Sequence, residues 1–323
     1  MKRRVLLASA AAAGLSLPAR AQTRRRIAYV SGRSRATDEH LLDAFKEGLK
    51  TTGYVDGQNV TIDVRWADGH YDRVYSLVTE LIAARPDVIA AVGGNTVGLD
   101  AGKATSTIPV VFGAGSDPTQ IGLVTNLSRP EANLTGMTLW ANELDGKRLE
   151  LVRTLMPGAR KVALLMNPRN PGVDVEIEHV KAAAKTLGLE LHVLSAETSS
   201  GIDRALQSTA GEPLDALAVV ADSFLINYRA RILAFAAARK LPAIYPAREF
   251  VTDGGLVSYG TRWADMYQIV GNYAGRILKG ARPADLPVQR PVTYELVINL
   301  KAAHALGLTI PPIMLAGADE VIE

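Results

Sequence analysis

Small, amide-bearing and hydroxyl-bearing residues gather in six short stretches that each follow a predicted strand. These stretches are Ser31–Arg35, Gly93–Thr96, Gly113–Asp117, Asn167–Asn170, Asp222-Ser223 and Tyr245–Glu249. In open α/β sheets, ligands bind outside the carboxyl ends of the strands, where loops lead into helix N-termini. Backbone N–H groups at such helix starts favour an anionic group such as a carboxylate. Aspartates facing each other from two sheets suit an ammonium group. The pattern therefore indicates a site for a small zwitterion.

Several of these residues also have a purely local interpretation. Asp117, which precedes a proline, has the form of a helix N-cap, and so does Asp222. Gly93 eases a tight turn between a strand and a helix. Arg33 and Arg35 are expected to be solvated loop charges rather than carboxylate clamps. The aromatic residues are expected mainly in the core.

Patterns typical of catalysis or metal binding are missing from the sequence. Its five histidines are scattered without metal-ligand spacing, and it has no cysteine to act as a nucleophile or metal ligand. It contains neither a G-x-S-x-G elbow nor a P-loop, and Gly93-Gly94 lacks the G-x-G-x-x-G pattern of dinucleotide-binding folds. We therefore expect a binder, with no catalytic residues, no metal and no cofactor.

A strand–helix–strand pattern occurs twice and would position the six stretches. Its strands are Arg26–Ser31 and Val60–Trp66 in the first copy, and Lys161–Asn167 and Leu189–Ala196 in the second. A strand run opening with aspartate follows each copy (87–94 and 215–222), and then a strand opened by proline (108–112 and 241–245). This alternation predicts α/β architecture with two lobes, each a doubly wound parallel sheet, and a cleft between them.

The two predicted lobes exchange the chain several times. Lobe 1 is expected to comprise residues 22–139 and about 262–283, and lobe 2 residues 140–261 and about 284–323. A crossover is expected around Met137–Asn142, before a helix from Glu143 to Met156. The helix Trp263–Leu278 should return to lobe 1, and the strand-like Val292–Leu300 should rejoin lobe 2. Several crossings would make a hinge that can bend while it keeps the relative placement of the two lobes.

The N-terminus has the form of a secretory signal peptide. The chain of 323 residues suits two domains of about 150 residues after its removal. Residues 1–21 combine a basic start, a short apolar run at Val5–Leu17 and an A-x-A site, which predicts cleavage between Ala21 and Gln22. The apolar run is much shorter than the ~20 residues that span a bilayer. The mature protein is expected in the periplasm.

Charge gives no indication of a nucleic-acid partner. Removing the four basic residues of 1–21 takes the formal net charge from +3 to −1, so the basic character of the whole chain belongs to the segment that is lost. We therefore expect no nucleic-acid binding.

Longer motifs resemble a known family. Ile108–Pro118, followed by Gly122-Leu123-Val124 and Asn133–Gly136, is similar to a T-IP-V-F…DP…GLV…N-TG signature, and Leu241–Gly260 and Glu295–Leu308 match still more closely. The family is that of the TrpX-like solute-binding proteins of ABC transporters, and the resemblance covers residues 26–323. It implies a type I periplasmic-binding-protein fold whose cleft closes on a small-molecule solute. It further implies delivery to an ABC permease and ATPase complex at the inner membrane; a monomer is expected.

The resemblance also implies ten ligand-binding residues. They are Asn95, Thr96, Ser116, Asp117 and Thr138 in the first half, and Asn167, Asp222, Tyr245, Glu249 and Tyr259 in the second. Characterised relatives bind aromatic amino acids, so such a ligand is expected first. Three loops depart from the family: the usual G-T-P-A-A is Gly94–Gly98, the usual R-P-G-G-N is Arg129–Asn133, and Gly32–Arg35 replaces the His-Pro stretch of some relatives.

Other functions remain open at this point. Alternative solutes are a branched-chain amino acid, an aromatic acid, a nucleoside and a sugar. Asp117, Asp222 and Glu249 would suit sugar hydroxyls. A secreted hydrolase or lyase would use Asp222 or Glu249 as general base, and turnover abolished by Asp222→Asn would identify it. A third alternative is a loaded protein that docks on a membrane sensor.

Overall fold

The protein is built on two β-sheets with helices packed against them. Its computed structural model describes residues 24–130, 132–140 and 144–323. The predicted signal peptide, with its cleavage site between Ala21 and Gln22, lies outside the described residues, as do residues 141 and 142 of the expected crossover and residue 143 at the start of the helix expected after it. Within the described ranges, no helix is long and apolar enough to cross a membrane.

Lobe 1 is built on a five-stranded parallel sheet. Its strands are β1 Arg25–Ser31, β2 Val60–Trp66, β3 Val88–Val92, β4 Val110–Ala114 and β5 Leu134–Thr138, in the order β2-β1-β3-β4-β5. Its helices are α1 Arg35–Lys50, α2 Tyr71–Ala83 and α3 Asn95–Ala104. The strands β3, β4 and β5 are buried along their whole length, because helices cover both faces of the sheet.

Lobe 2 is built on a seven-stranded sheet. Its strands are β6 Lys161–Met166, β7 Glu190–Ser195, β8 Ala216–Val219, β9 Ala243–Tyr245, β10 Val257–Thr261, β11 Tyr294–Asn299 and β12 Glu320–Ile322, in the order β12-β11-β10-β9-β8-β6-β7. Its helices are α4 Leu144–Leu155, α5 Val173–Thr186, α6 Ser199–Gln207, α7 Ser223–Asn227, α8 Arg229–Ala238, α9 Arg248–Thr252, α11 Leu300–Ala305 and α12 Pro312–Ala316. The pairing of β10 with β11 is antiparallel, which the expectation of purely parallel sheets missed.

The aspartate that opens the third strand run has the same role in both lobes. The Asp87 carboxylate accepts a hydrogen bond from the Arg26 backbone N–H (2.8 Å), and the Asp215 carboxylate accepts one from the Lys161 backbone N–H (2.8 Å). Each aspartate thus ties the start of its strand to the start of the neighbouring first strand. The bond from Lys161 and a second one from the Arg160 N–H (2.7 Å) lower the pKa of Asp215. The repeat seen in the sequence is therefore a repeat of local structure.

Both sheets change direction at the same place in their strand order. In lobe 1, β2 lies on one side of β1 and β3 on the other; in lobe 2, β7 and β8 flank β6 in the same way. The loops after β1 and β3, and those after β6 and β8, therefore leave opposite sides of each sheet and border a crevice. Such switch points are where doubly wound sheets bind ligands.

Chain crossings join the lobes after β5, after β10 and after Gln289. The helix α10, Trp263–Leu278, packs along α1 and against β3, β4 and β5. The two helices approach so closely that a Cβ on Gly271 would lie 2.0 Å from the Phe45 carbonyl oxygen. The segment after α10 stays with lobe 1 as far as Gln289, whose N–H donates to the Gly136 carbonyl (3.0 Å). The residue boundaries of the lobes given above stay predictions.

Two local expectations differ from the structure. The spacing of apolar residues predicts a helix over Asp38–Lys50, but α1 begins at Arg35, because Ser34 is its N-cap and the Ser34 N–H donates to Thr37 Oγ1 (3.3 Å). The expected helix after Asp117 is absent from the described residues 118–124, which form turns. There the Asp117 carboxylate accepts from the Thr119 N–H (2.8 Å) and hydroxyl (2.7 Å), so it stabilises a turn.

Candidate functional site

The strand ends of the two lobes meet around a small cavity of about 30 Å³. The polar part of its lining comes from Tyr71 and Asn95 of lobe 1 and from Asn170, Asp222 and Ser223 of lobe 2. These residues follow or lie beside the switch points of both sheets. A volume near 30 Å³ is far below the about 300–1,000 Å³ of small-molecule sites, so the lobes stand closed on each other.

Apart from Ala221 of lobe 2, the apolar part of the lining comes from the lobe 1 side. It is formed by Leu139, Trp263 and Met266, together with Gly113 at the end of β4. A Cβ on Gly113 would lie 3.0 Å from the Met266 sulfur, so the glycine lets α10 approach the sheet. Trp263 is the first residue of α10, directly after a crossing between the lobes. This surface suits the ring or hydrocarbon part of a ligand.

Asp222 is the acidic group of the cleft. It is the N-cap of α7, where its Oδ1 accepts from the Leu225 N–H (3.1 Å) and from Asn167 Nδ2 (3.3 Å). Its Oδ2 accepts from the hydroxyl of Tyr71 in the opposite lobe. Burial raises the pKa of Asp222, and the bonds from Tyr71, Leu225 and Asn167 oppose that rise. The expected cap is confirmed, and the same carboxylate lines the cleft.

Asn95 ties together three segments around the cavity. Its Oδ1 accepts from the N–H groups of Gly115 (2.8 Å) and Ser116 (3.2 Å). Its Nδ2 lies 2.8 Å from Ser116 Oγ and, in the opposite lobe, 3.1 Å from Asn170 Oδ1 and 2.9 Å from the Pro171 carbonyl oxygen. Asn95 is 3% exposed, so this predicted site residue is at present fully engaged by protein groups.

The N-terminus of α3 faces the N-terminus of α7 across the cleft. A Cβ on Gly94 would lie 3.0 Å from Ser223 Oγ, so the two lobes touch here. Gly94 has φ 134°, a conformation that favours glycine. N–H groups in the first turn of a helix have no intrahelical acceptor, which makes this end of α3 suited to a carboxylate. In the part of the chain that the structure describes, the buried Thr96 Oγ1 has no hydrogen-bond partner.

Hydrogen bonds of Thr138 join the segments that follow β4 and β5 on the lobe 1 side of the cavity. The Thr138 hydroxyl donates to the Ser116 carbonyl (2.8 Å) and accepts from the Trp140 N–H (3.1 Å). Neither Thr138 nor Asp117 is part of the cavity lining described above, and their contact with a ligand stays a prediction. Asn167 likewise acts here through Asp222.

Tyr245 and Tyr259 are not brought to the cavity. Tyr245 stacks on Phe250, with ring centroids 4.6 Å apart, and borders a separate apolar cavity of about 300 Å³ inside lobe 2. The ring of Tyr259 lies 6.2 Å from that of Tyr294, and its carbonyl accepts from Arg148 (2.8 Å). Because successive residues of a strand face opposite sides, position at a strand end did not decide which side chain turns to the cleft. A ligand role for both stays a prediction.

Glu249 lies at the seam between the lobes. Its Oε1 is 3.5 Å from His40 Nε2 of α1. Burial would raise the pKa of Glu249, but the hydrogen bond with His40 and the charge of Arg33 outweigh it and lower that pKa. This carboxylate therefore attracts lobe 1 when the cleft is closed.

Arg33 contradicts the expectation of a solvated charge. Arg35 is exposed as expected, but the Arg33 side chain is 0% exposed. Its Nε lies 2.5 Å from Asp38 Oδ1, and its guanidinium lies over the Trp263 ring, 4.2 Å from the centroid. Burial opposes the charge of Arg33, yet Asp38 and other nearby groups raise its pKa overall.

A signal for this buried pair is present in the sequence. Asp38 precedes Leu41, Leu42 and Phe45 at helical spacing, so it lies on the apolar stripe of α1. A carboxylate on a buried stripe needs a counter-charge, and Arg33 is the basic residue five positions before it. Tyr71 and Trp263 were also missed as lining residues, because only the fold brings α2 and α10 to the cleft.

Hydrogen bonds between the lobes hold the cleft closed. Asn227, the last residue of α7, accepts at Oδ1 from the Ser34 N–H (3.1 Å) and from the Thr37 hydroxyl (3.0 Å). With the Tyr71–Asp222 and Asn95–Asn170 contacts, these bonds join the loops after β1, β2 and β3 to lobe 2. No group of three acidic or histidine side chains among the described residues is arranged to hold a metal ion.

Comparisons with known proteins agree with this geometry. A family model described as ABC transporter substrate binding protein matches residues 27–322. A tyrosine-binding protein of Clostridioides difficile (strain R20291) is 28% identical over 296 residues, which cover 90% of this chain and 85% of that protein.

Two solved structures are similar in fold. The ABC domain from Streptococcus pneumoniae in complex with L-Trp has a TM-score of 0.85 and 26% identity, covering 93% of this chain and 100% of that one. The ligand-free, open structure of a substrate-binding protein with adhesive properties from Clostridium difficile has a TM-score of 0.66 and 24% identity, covering 92% of this chain and 99% of that one.

Proposed function

This chain belongs to the family of ABC transporter substrate-binding proteins, and from that membership we propose that it captures an aromatic amino acid between its lobes. The amino acid would then pass unchanged to the permease and ATPase complex of an importer. The observation that carries the proposal is the meeting of opposite groups in the cleft. The carboxylate of Asp222 and the N-terminus of α3 belong to different lobes, and Gly94 and Ser223 bring them together.

These two groups suit the two charges of an α-amino acid. The Asp222 carboxylate is a partner for the ammonium group, because a buried carboxylate favours an opposite charge beside it. Backbone N–H groups in the first turn of α3 are partners for the carboxylate, apart from that of Val97, which donates to the Gly94 carbonyl (3.2 Å). Since one partner comes from each lobe, both contacts form fully only when the lobes close.

The apolar part of the lining suits the aromatic ring. Trp263, Met266 and Leu139 line the cavity together on the lobe 1 side. Aromatic rings stack or meet edge-to-face, and the methionine sulfur also favours ring contacts. The relatives named above bind or hold tyrosine and tryptophan by their descriptions, which supports an aromatic side chain here.

Capture would require the lobes to open. Small-molecule sites occupy about 300–1,000 Å³, whereas the closed cavity measures about 30 Å³. The crossings near Leu139, Arg262 and Gln289 are the hinge about which we expect lobe 2 to rotate. The ligand would enter the open form, displace the Tyr71 and Asn170 contacts and stabilise a closed form around itself.

Export and partners complete the proposal. Residues 1–21 would act as a cleavable signal peptide, and the mature chain would work in the periplasm as a monomer. The permease would recognise the loaded, closed form.

Isothermal titration calorimetry with L-tyrosine, L-tryptophan and L-phenylalanine tests the ligand class. We expect dissociation constants near the micromolar range, about −8 kcal/mol, for at least one of them. N-acetyl and decarboxylated analogues of that ligand are the matched controls, and each should bind at least about tenfold more weakly because each lacks one charge. Recovery of the ligand with unchanged mass supports binding without turnover. Absence of binding by all three amino acids would contradict an aromatic ligand and leave the family membership intact.

A further inference from the structure

Arg33 is a buried cation whose terminal nitrogens are unused. Its side chain is 0% exposed, and its Nε faces Asp38 at 2.5 Å. Across residues 24–130, 132–140 and 144–323, none of the three guanidinium nitrogens of Arg33 has a partner in hydrogen-bond geometry, Nε included although it forms the ion pair with Asp38. Buried donors without an acceptor are strongly unfavourable, so such a group in a native protein calls for a functional explanation.

The guanidinium is held firmly in place. Asp38, its ion-pair partner, also accepts from Ser31 Oγ (3.0 Å) and from the Tyr267 hydroxyl (3.1 Å). The Trp263 ring covers one face of the guanidinium at 4.2 Å. Contacts from β1, α1 and α10 therefore fix both the ion pair and the plane of the cation, as expected for a preorganised donor.

This donor adjoins the apolar part of the cleft. Trp263 lines the cavity, and so does Gly93, where an added Cβ would lie 3.3 Å from the Arg33 backbone nitrogen. Arg33 is not itself a lining residue, but its guanidinium contacts Trp263, which is, so one side chain separates this donor from the cavity. The charged head group of a bound amino acid would lie at Asp222 and the start of α3.

The charges around Arg33 favour a neutral acceptor over a second anion. Asp38 already balances the guanidinium, and Glu249 at the seam, with His40 at 3.5 Å, adds a further carboxylate. Asp222 adds another within the cleft. An additional anion would meet these carboxylates, whereas a neutral oxygen can accept from the guanidinium without that repulsion.

We propose that Arg33 is a specificity-determining residue that donates a hydrogen bond to an oxygen on the ring of the bound aromatic amino acid. This inference rests on the proposed function and names the ligand within it as tyrosine-like. Phenylalanine offers no acceptor, and the indole N–H of tryptophan is a donor only. A site with a buried donor rejects ligands that leave the donor unpaired.

The first test compares L-tyrosine with 4-methyl-L-phenylalanine, which has nearly the same shape without the oxygen. Calorimetry on the full mature chain should give an affinity for tyrosine about 10- to 100-fold higher, the range for a hydrogen bond to a charged donor. Equal affinities for the two ligands would overturn the inference while leaving the proposed function standing. Failure of every aromatic amino acid to bind would overturn both.

Variants then assign the selectivity to Arg33. In Arg33→Met the affinity ratio should fall to near one, with binding of 4-methyl-L-phenylalanine retained. Arg35→Met is the matched control, because Arg35 is exposed and pairs only with Glu39 among the described residues; its ratio should equal that of the wild type. An unchanged ratio in Arg33→Met would overturn the inference and make Arg33 purely structural.

Two further variants guard against a folding defect. Arg33→Met leaves the buried Asp38 without a counter-charge, so Arg33→Met combined with Asp38→Asn removes both charges and should give the same ratio near one. Arg33→Lys keeps the charge beside Asp38 but has no planar pair of donors, and an intermediate ratio is expected. A wild-type ratio in the double variant would count against the inference, and so would equal weakening of both ligands, which leaves the ratio unchanged.

Discussion

Asp222 combines two roles that sequence reasoning treated as alternatives. As the N-cap of α7 it accepts the Leu225 N–H, and as a cleft residue it accepts the Tyr71 hydroxyl. A carboxylate has about four lone-pair sites, so capping leaves capacity for a ligand. A local explanation of a polar residue therefore does not exclude a functional one. At Asp117, in contrast, the carboxylate bonds recorded are within its own turn.

Asp222→Asn tests the acidic residue of the cleft. Asparagine keeps the cap but not the charge, so we expect affinity for the amino acid to fall by about 2 kcal/mol or more, roughly 30-fold or greater, as for a buried charge pair that loses one member. Calorimetry measures the change, and Asp203→Asn, whose partly exposed side chain pairs with Arg231 (2.6 Å), is the control, with affinity within about threefold of the wild type. Equal losses in the two variants would contradict the assignment of the ammonium partner.

Glu176 gives a prediction about pH. This residue lies in the first turn of α5, is 2% exposed, and has Asp145 near it; burial and that neighbour raise its pKa well above the ordinary 4.5. For a carboxyl with a raised folded-state pKa, the stabilising contribution is complete below pH 4.5 and is lost as the pH rises through the folded-state pKa. Glu176→Gln should therefore raise the free energy of unfolding at pH 8 relative to the wild type and leave it nearly unchanged at pH 4.

Urea unfolding at both pH values measures the effect. Glu178→Gln, on the same helix but exposed and paired with Lys181 (2.8 Å), is the control and should show no such pH-dependent gain. A Glu176→Gln variant that is less stable at pH 8 would show that the charged form is the one the fold accommodates.

At the scale of elements, the close approach of α3 to α7 depends on a glycine. Gly94 has φ 134°, and a Cβ there would meet Ser223 of the other lobe at 3.0 Å. Predictions of elements from periodicity succeeded where the pattern was long, as in β1, β2 and α1. They failed where side chains set the ends: Ser34 started α1 earlier than expected, and Asp117 formed a turn instead of a cap.

Gly94→Ala should destabilise the closed form of the protein more than it destabilises the fold of lobe 1. Backbone strain alone should lower the free energy of unfolding by about 1–3 kcal/mol. We expect ligand affinity to fall as well, because the added methyl group separates the lobes at their contact. Gly122→Ala is the control: Gly122 also has positive φ (77°), but among described atoms nothing lies within 4 Å of its added Cβ. Calorimetry and thermal unfolding of both variants separate closure from stability, and equal affinities in the two would contradict this role.

At the scale of the whole molecule, closure depends on contacts between residues far apart in the chain. Asn227 of lobe 2 bonds to Ser34 and Thr37 of lobe 1, about 190 residues away. Such bonds are worth about 0.5–1.5 kcal/mol each when formed. They favour the closed form, and they reduce the binding free energy that the ligand must supply to shift the protein fully to that form.

Asn227→Ala should shift the molecule toward the open form. Loss of the two bonds is expected to lower ligand affinity by about tenfold, and small-angle scattering should give a larger radius of gyration without ligand than in the wild type. Asn272→Ala is the control, since Asn272 bonds Thr51 (2.9 Å) within the α1–α10 pair and bridges no lobes. An unchanged radius and affinity in Asn227→Ala would mean that this contact does not hold the closed form.

The sequence by itself determined the two-lobe architecture and the region of the site. Apolar periodicity and the duplicated strand–helix–strand pattern reflect burial along each element. That burial can be read from the order of apolar and polar residues within one segment of the chain. The rule for parallel sheets then located the cleft at the strand ends, where Asn95, Asn167 and Asp222 do lie at or beside the cavity.

Only the tertiary structure decided which side chains meet there. Trp263 contacts Arg33, which lies some 230 positions earlier in the chain. Tyr245 and Asp222 both lie at the end of a strand, yet Tyr245 turns into the core of lobe 2 whereas Asp222 lines the cleft. The physical reason is that pairing across the cleft depends on how two separately folded sheets are placed by the hinge and by α10. Local patterns record burial within an element, but they carry no record of that placement.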